Sequence, residues 1–232
     1  MSESVRLPRQ HAVVLGVTAH AAPTGLAPTI TVSSAFWLYW LDIAVEHLEA
    51  AATARAKGLE ARAVGADVAP ALLPETQASM VATVGAAACV ESFTKRVLYL
   101  EATSGKEPLV WTAKEATNLL GTAFDVNATF LDDRLKRLFD DRNAAIHARE
   151  EDLPPEPHPL GVNSGSGHAH FTFERALEAV EMALEILEQC CGNARPGAEH
   201  ASVAQMVAGI ATRLNERWER VRDAERLVEA SG

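Results

Sequence analysis

From Ser33 onward the apolar residues return every three or four positions, the period of a helix with one buried face. Trp37, Leu41, Ala44, Leu48 and Ala51 form the first such stripe, with Ser34 as its predicted N-cap and an end near Gly58. A loop bearing Gly65, Pro70 and Pro74 follows. The next helix, from about Glu75 to Glu101, is apolar nearly all round (Met80, Val84, Val90, Phe93, Val97, Leu98), which marks it as the central one. Gly105 and Pro108 break the pattern, a short helix spans Thr112 to Phe124, and a strongly patterned one runs from Ala128 to about Glu150. Residues 151–171 are rich in proline and glycine and read as a long loop, functional or mobile. Thr172 then caps a helix with Phe173, Leu177, Val180, Leu184, Leu187 and Cys191 as its stripe. A last helix carries Val203, Val207, Ile210, Leu214, Val221, Ala224 and Val228 in alternating four–three spacing, interrupted by Arg217. That seam packs on a partner copy or on its own bundle. Residues 1–32 hold turn residues and one β-prone run, His11–Val17, and read as an irregular arm or a single strand. The pattern therefore predicts an all-α helical bundle. It comprises an N-terminal arm (1–32), a helical domain (33–191) and an additional C-terminal helix (192–232).

Composition agrees. The chain has 232 residues, 48% hydrophobic and 22% charged, enough for one core plus an appendage. Alanine, the strongest helix former, is its commonest residue. A net charge of -10 argues against a broad basic face that coats duplex nucleic acid, though a local RNA site needs only a few cations. The three cysteines, Cys89, Cys190 and Cys191, are too few and too odd for a disulfide framework, so a reducing, cytoplasmic setting is expected. No charge falls between Gln10 and Leu41, but Gly16, Pro23, Gly25 and Pro28 lie within that stretch, so neither a membrane span nor a secretion signal is expected. Nucleotide-cradling glycine loops, CxxC pairs, HExxH and GxSxG are all missing from the sequence, and no cofactor is expected.

One helix carries an anomaly. At about 100° per residue with Leu131 at zero, Leu135, Leu138, Phe139, Ala145 and Ile146 cluster on one side, and Arg142 falls at about 20°, inside that apolar stripe. Asn143 and His147 lie together on the flank, one helical turn apart. A guanidinium cannot shed its proton, so an arginine placed there is expected to be paired or used. Glu91 is the matching misfit, in line with Val84, Ala88 and Leu98, and a Glu91–Arg142 contact would satisfy both. Such a pair either fixes how two helices pack or prepares a site.

The string Arg142-Asn143-Ala144-Ala145-Ile146-His147 resembles the R-N-x-x-x-H signature of the HEPN superfamily. AAACVESFTKRVLYL is similar to the acid-bearing helix upstream in that family, and FERALEAVEMALEILEQ to its closing amphipathic helix. The resemblance spans roughly Ser33 to Cys191. It implies a four- to five-helix bundle that dimerises and, in many members, a metal-independent endoribonuclease of toxin–antitoxin or antiviral systems. RNA is then the implied substrate, with an antitoxin or a defence protein as candidate partner. Arg142, Asn143 and His147 would be catalytic and Glu91 supporting. The alternative is a HEPN-like module without catalysis that binds a partner protein or nucleotide.

Other residues invite weaker readings. His158, His168 and His170 lack the carboxylate or cysteine company of a metal site, and are expected to touch substrate or be solvated. The Phe36, Trp37, Tyr39, Trp40 cluster reads as core or dimer contact. Arg213, Arg217, Arg220, Arg222 and Arg226 are interleaved with acids and read as a salt-bridged surface.

Overall fold

The structure, a computed structural model, describes residues 13–22, 25–34, 36–101, 112–147 and 154–193, together with Arg226. In chain order the elements are β1 (Val13–Ala22), β2 (Gly25–Ser34), α1 (Phe36–Ala63), α2 (Ala69–Glu101), α3 (Ala113–Phe124), α4 (Ala128–Ile146), β3 (Glu156–His158), β4 (Val162–Ser164), α5 (Ser166–His170) and α6 (Phe173–Gly192). The protein is an all-α helical bundle with two small hairpins. The seam expected on the C-terminal helix lies outside the described residues, while α4 ends at Ile146 with His147 as its C-cap, short of the predicted Glu150.

α2 is the axis of the bundle and packs against α1, α3, α4, α5 and α6. The stripe Trp37, Leu41, Ala44, Leu48 and Ala51 of α1 is buried against it. Trp37 meets Phe93 edge-on at 5.6 Å, and Phe93 stacks on Phe124 at 5.8 Å, so one aromatic column joins α1, α2 and α3. The expected aromatic cluster thus divides: Trp37 is core, while Phe36 and Trp40 face solvent. α6 closes the core with Phe173, Ala176, Val180, Ala183, Ile186 and Leu187. α3 begins with a capping box, in which Thr112 Oγ1 accepts from Glu115 N–H and the Glu115 carboxylate accepts from Thr112 N–H. Asp125 ends it in the left-handed region (φ 56), a conformation that aspartate tolerates.

Several boundaries differ from expectation, and α1 for one continues to Ala63, past the predicted end near Gly58. Residues 13–34 form an antiparallel hairpin rather than an irregular arm or single strand, in register from Val13 opposite Ser34 to Ala22 opposite Gly25. The β-branched run Thr29–Val32 favours that second strand despite Pro28 beside it. Ser34 therefore ends β2 instead of capping α1. α2 starts at Ala69, ahead of the predicted Glu75, with Asp67 Oδ1 accepting from Ala69 N–H. Pro70 sits in the first turn, where an N–H has no helical partner to lose. The 151–171 loop is also partly ordered, as β3, β4 and α5.

The α1–α2 contact is set by a glycine. A Cβ at Gly85 would come within 3.1 Å of Ala44 N and of Trp40 O, both backbone atoms, so α1 can lie this close only because no side chain intervenes. Gly85→Val is expected to destabilise the protein by about 2 kcal/mol through overpacking, read as a lowered midpoint in urea unfolding.

Candidate functional site

α4 is aimed by its ends and its stripe. Asn127 Oδ1 accepts from the N–H groups of Thr129 and Phe130 at the start. Leu131, Leu135 and Leu138 are fully buried, which fixes the roll of the helix on α2, α3 and α6. The last turn overhangs this cover: Ala145 is buried, but Ile146 is 54% exposed. His147 forms the C-cap, its backbone N–H donating to Asn143 O at 2.9 Å, and its side chain is exposed.

The pair expected between the two misplaced charges is present. Arg142 Nη1 donates to Glu91 Oε2 at 2.9 Å, and Lys95 Nζ donates to the other oxygen, Glu91 Oε1, at 2.8 Å. Arg142 is nevertheless no core residue. Its side chain is 27% exposed and that of Glu91 23%, because the apolar stripe of α4 runs out one turn before the helix does. The guanidinium carbon lies 5.5 Å from the Phe139 ring centroid, which supports the stem of the arginine. Asn143 Oδ1 accepts from Arg142 Nη2 at 2.9 Å and Nε at 3.3 Å, so it steadies the arginine. Arg142, Asn143, His147 and Glu91 are thus gathered at one end of α4, open to solvent. Three of the five guanidinium N–H groups are engaged by Glu91 and Asn143 among the described residues.

A second, deeper cluster was not anticipated. Arg55 on α1 is 1% exposed, and its guanidinium grips two carboxylates. Nε and Nη2 donate to Glu75 at 3.0 and 2.6 Å, Nη2 donates to Glu174 Oε2 at 2.9 Å, and Nη1 donates to Glu174 Oε1. Glu75, fully buried, also accepts from Phe173 N–H at 3.0 Å and so caps the start of α6. Burial alone would ease deprotonation of Arg55, but the hydrogen bonds and charges of Glu75 and Glu174 outweigh it and hold the proton more firmly than water does. The signal was available in the sequence. Arg55 stands four residues after Ala51 and three before Gly58, on the buried stripe, as misplaced as Arg142 is on its own.

The loop histidines belong to this end of the bundle, and only His158 among them is fully buried. His158 is buried, His168 Nδ1 lies 2.6 Å from Thr76 Oγ1, and His170 is half-buried with Arg175 Nη1 3.0 Å from its Nδ1. Among the described residues no three His, Cys, Asp or Glu side chains converge as a metal site requires. Cys89 and Cys190 are buried, and burial pushes the Cys89 thiol well above the ordinary thiol range. No described helix is long and apolar enough to cross a membrane. No family model, curated protein or solved structure matches the chain.

The two arginine clusters differ in what they can do. The Arg55 cluster is buried at Arg55 and Glu75, with Glu174 at its exposed edge, and ties α1, α2 and α6 together, whereas the Arg142 cluster has exposed Asn143 and His147 beside it and can meet a ligand. Arg55→Met, which strands the buried Glu75 carboxylate, is expected to cost about 3–5 kcal/mol. Glu91→Gln, at a half-exposed pair, is expected to stay within about 1 kcal/mol. Urea unfolding of both variants checks the contrast.

Proposed function

We propose that the protein is a HEPN-like, metal-independent endoribonuclease whose site is built on the last turn of α4. The observation that carries this reading is the solvent-open grouping of Arg142, Asn143 and His147, with Arg142 held at 2.9 Å by Glu91. The chemistry is internal attack by a 2′-hydroxyl on the adjacent phosphodiester. The 2′-oxygen bonds to phosphorus, the bond to the 5′-oxygen breaks, and the products carry a 2′,3′-cyclic phosphate and a 5′-hydroxyl. Imidazole both takes and gives protons near neutral pH, so His147 removes the 2′-proton or supplies one to the leaving oxygen. Arg142, steadied by Glu91 and Asn143, neutralises the charge that builds on the phosphate oxygens. The two side chains leave a straight helix about 140° apart, so the full set comes from two copies meeting along α4. A toxin–antitoxin or antiviral role, with an antitoxin or a defence protein as partner, belongs to this reading.

The second reading, a HEPN-like module that binds a protein or nucleotide without cutting RNA, draws support from the net charge of -10.

Incubating labelled RNA with the purified protein in EDTA tests the proposal. Wild type is expected to leave 2′,3′-cyclic ends, and Arg142→Ala or His147→Ala to lose activity by about 10²–10⁴-fold. Variants that cut as fast as wild type would overturn the role assignments. RNA left intact by wild type, with nucleotide or protein bound instead, would favour the second reading.

A further inference from the structure

The segment from β3 to α5, residues 156–170, lies as a strap over the end of the bundle where α1, α2 and α6 share the Arg55 cluster. Two side chains fasten its hairpin. Leu160, 1% exposed, plugs a small apolar site formed with Val68 and Ala71. His158, its side chain fully buried, points at the Arg55 cluster.

The hydrogen bonding of His158 defines its charge. Nδ1 accepts from Leu160 N–H at 3.1 Å, and since a backbone N–H can only donate, this nitrogen carries no proton. The one ring proton is therefore on Nε2, which faces Glu75 Oε1 at 3.8 Å, beyond hydrogen-bond reach, and has no partner. A second proton would have to enter at Nδ1, where it would oppose the Leu160 N–H donor to donor. Leu160 is the residue that plugs the apolar site, so the clash falls on the strap's own anchor. The charged and titratable groups around the ring are Glu75 on α2, Arg55 on α1, Glu174 on α6 and His168 on α5. Arg62 of α1 lies over the hairpin turn, close enough that a side chain at Gly161 (φ 80) would meet its guanidinium.

We propose that the strap is a pH-operated latch: protonation of His158 releases residues 156–170 from α1, α2 and α6 while the helical core stays folded. Burial, reinforced by Arg55 and His168, pushes His158 below the ordinary histidine range against the pull of Glu75 and Glu174. The released strap therefore binds the proton more readily than the docked one. The latch is fully closed above about pH 6.5 and weakens as pH falls. With the docked ring neutral, its opening equilibrium rises about tenfold between pH 7.5 and 5.5. The inference is independent of the RNA chemistry, although the two regions adjoin: His170 Nε2 and Arg175 Nη1 reach to 3.9 and 4.0 Å from Asp141, the residue before Arg142.

Hydrogen–deuterium exchange of the full chain at pH 5.5 and 7.5, corrected for intrinsic rates, tests it. Residues 156–170 are expected to exchange about tenfold more readily at pH 5.5, with α1, α2 and α6 unchanged. A strap equally protected at both pH values, or helices that loosen in step with it, would overturn the proposal. His158→Asn keeps an acceptor for Leu160 N–H without a titrating ring, and is expected to remove the pH dependence; an unchanged dependence counts against the latch. Should that variant not fold, an NMR titration of the wild-type imidazole decides. The His158 resonance is expected to move with the strap's exchange, and a ring that stays neutral while the strap opens would refute the idea.

Discussion

One guanidinium and one carboxylate removed from water, Arg55 and Glu75, with Glu174 joining them from the exposed edge, govern the architecture of this protein. Arg55 joins Glu75 and Glu174 across three helices, and Glu75 also receives the first backbone N–H of α6. Ions are costly to bury, and the cost is met only when every partner is placed with hydrogen-bond accuracy. The cluster therefore specifies more than it stabilises. It sets the height at which α1, α2 and α6 meet, and it leaves the α2–α6 end polar enough to need a cover. The strap supplies that cover, with Leu160 filling the apolar rim and His158 facing the charges.

The Arg142 cluster follows the opposite logic. Its ion pair is half-exposed, so solvent screens it and its value to folding is small. Glu91 divides its two oxygens between Lys95 and Arg142, leaving two cations fixed about one carboxylate. Such an arrangement carries a local surplus of positive charge on a chain whose net charge is -10. The acidic remainder of the chain opposes loose binding of nucleic acid.

Much of this was legible in the sequence, for reasons that vary with the residue. The Leu131, Leu135, Leu138 line and the Trp37 to Ala51 stripe have the helical period, and both are buried as that period requires. Glu91 and Arg142 were readable as a pair because each breaks an apolar line. How far the pair is buried was not readable, since a helical projection gives direction and says nothing about where the neighbouring helix ends. Arg55 escaped notice because its stripe is built of alanine and glycine, whose small side chains blur the contrast that makes a misplaced charge conspicuous. The strap was hidden by Pro154, Pro155, Pro157 and Pro159, which announce a loop and conceal that His158 and Leu160 between them face inward. Likewise Gly25 and Pro28 masked a strand whose formation depends on pairing with β1 and not on its own residues alone.

The last turn of α4 divides its residues between two mechanical regimes. Arg142 is tethered sideways, by Glu91 on a neighbouring helix and by Asn143 beside it. His147 stands at the point where helical hydrogen bonding stops, held along the chain by a single backbone bond to Asn143. One turn of helix thus supports a stiff cation next to an imidazole on a pivot. Motion of the backbone at that pivot changes the reach of the imidazole and leaves the anchored charge where it is.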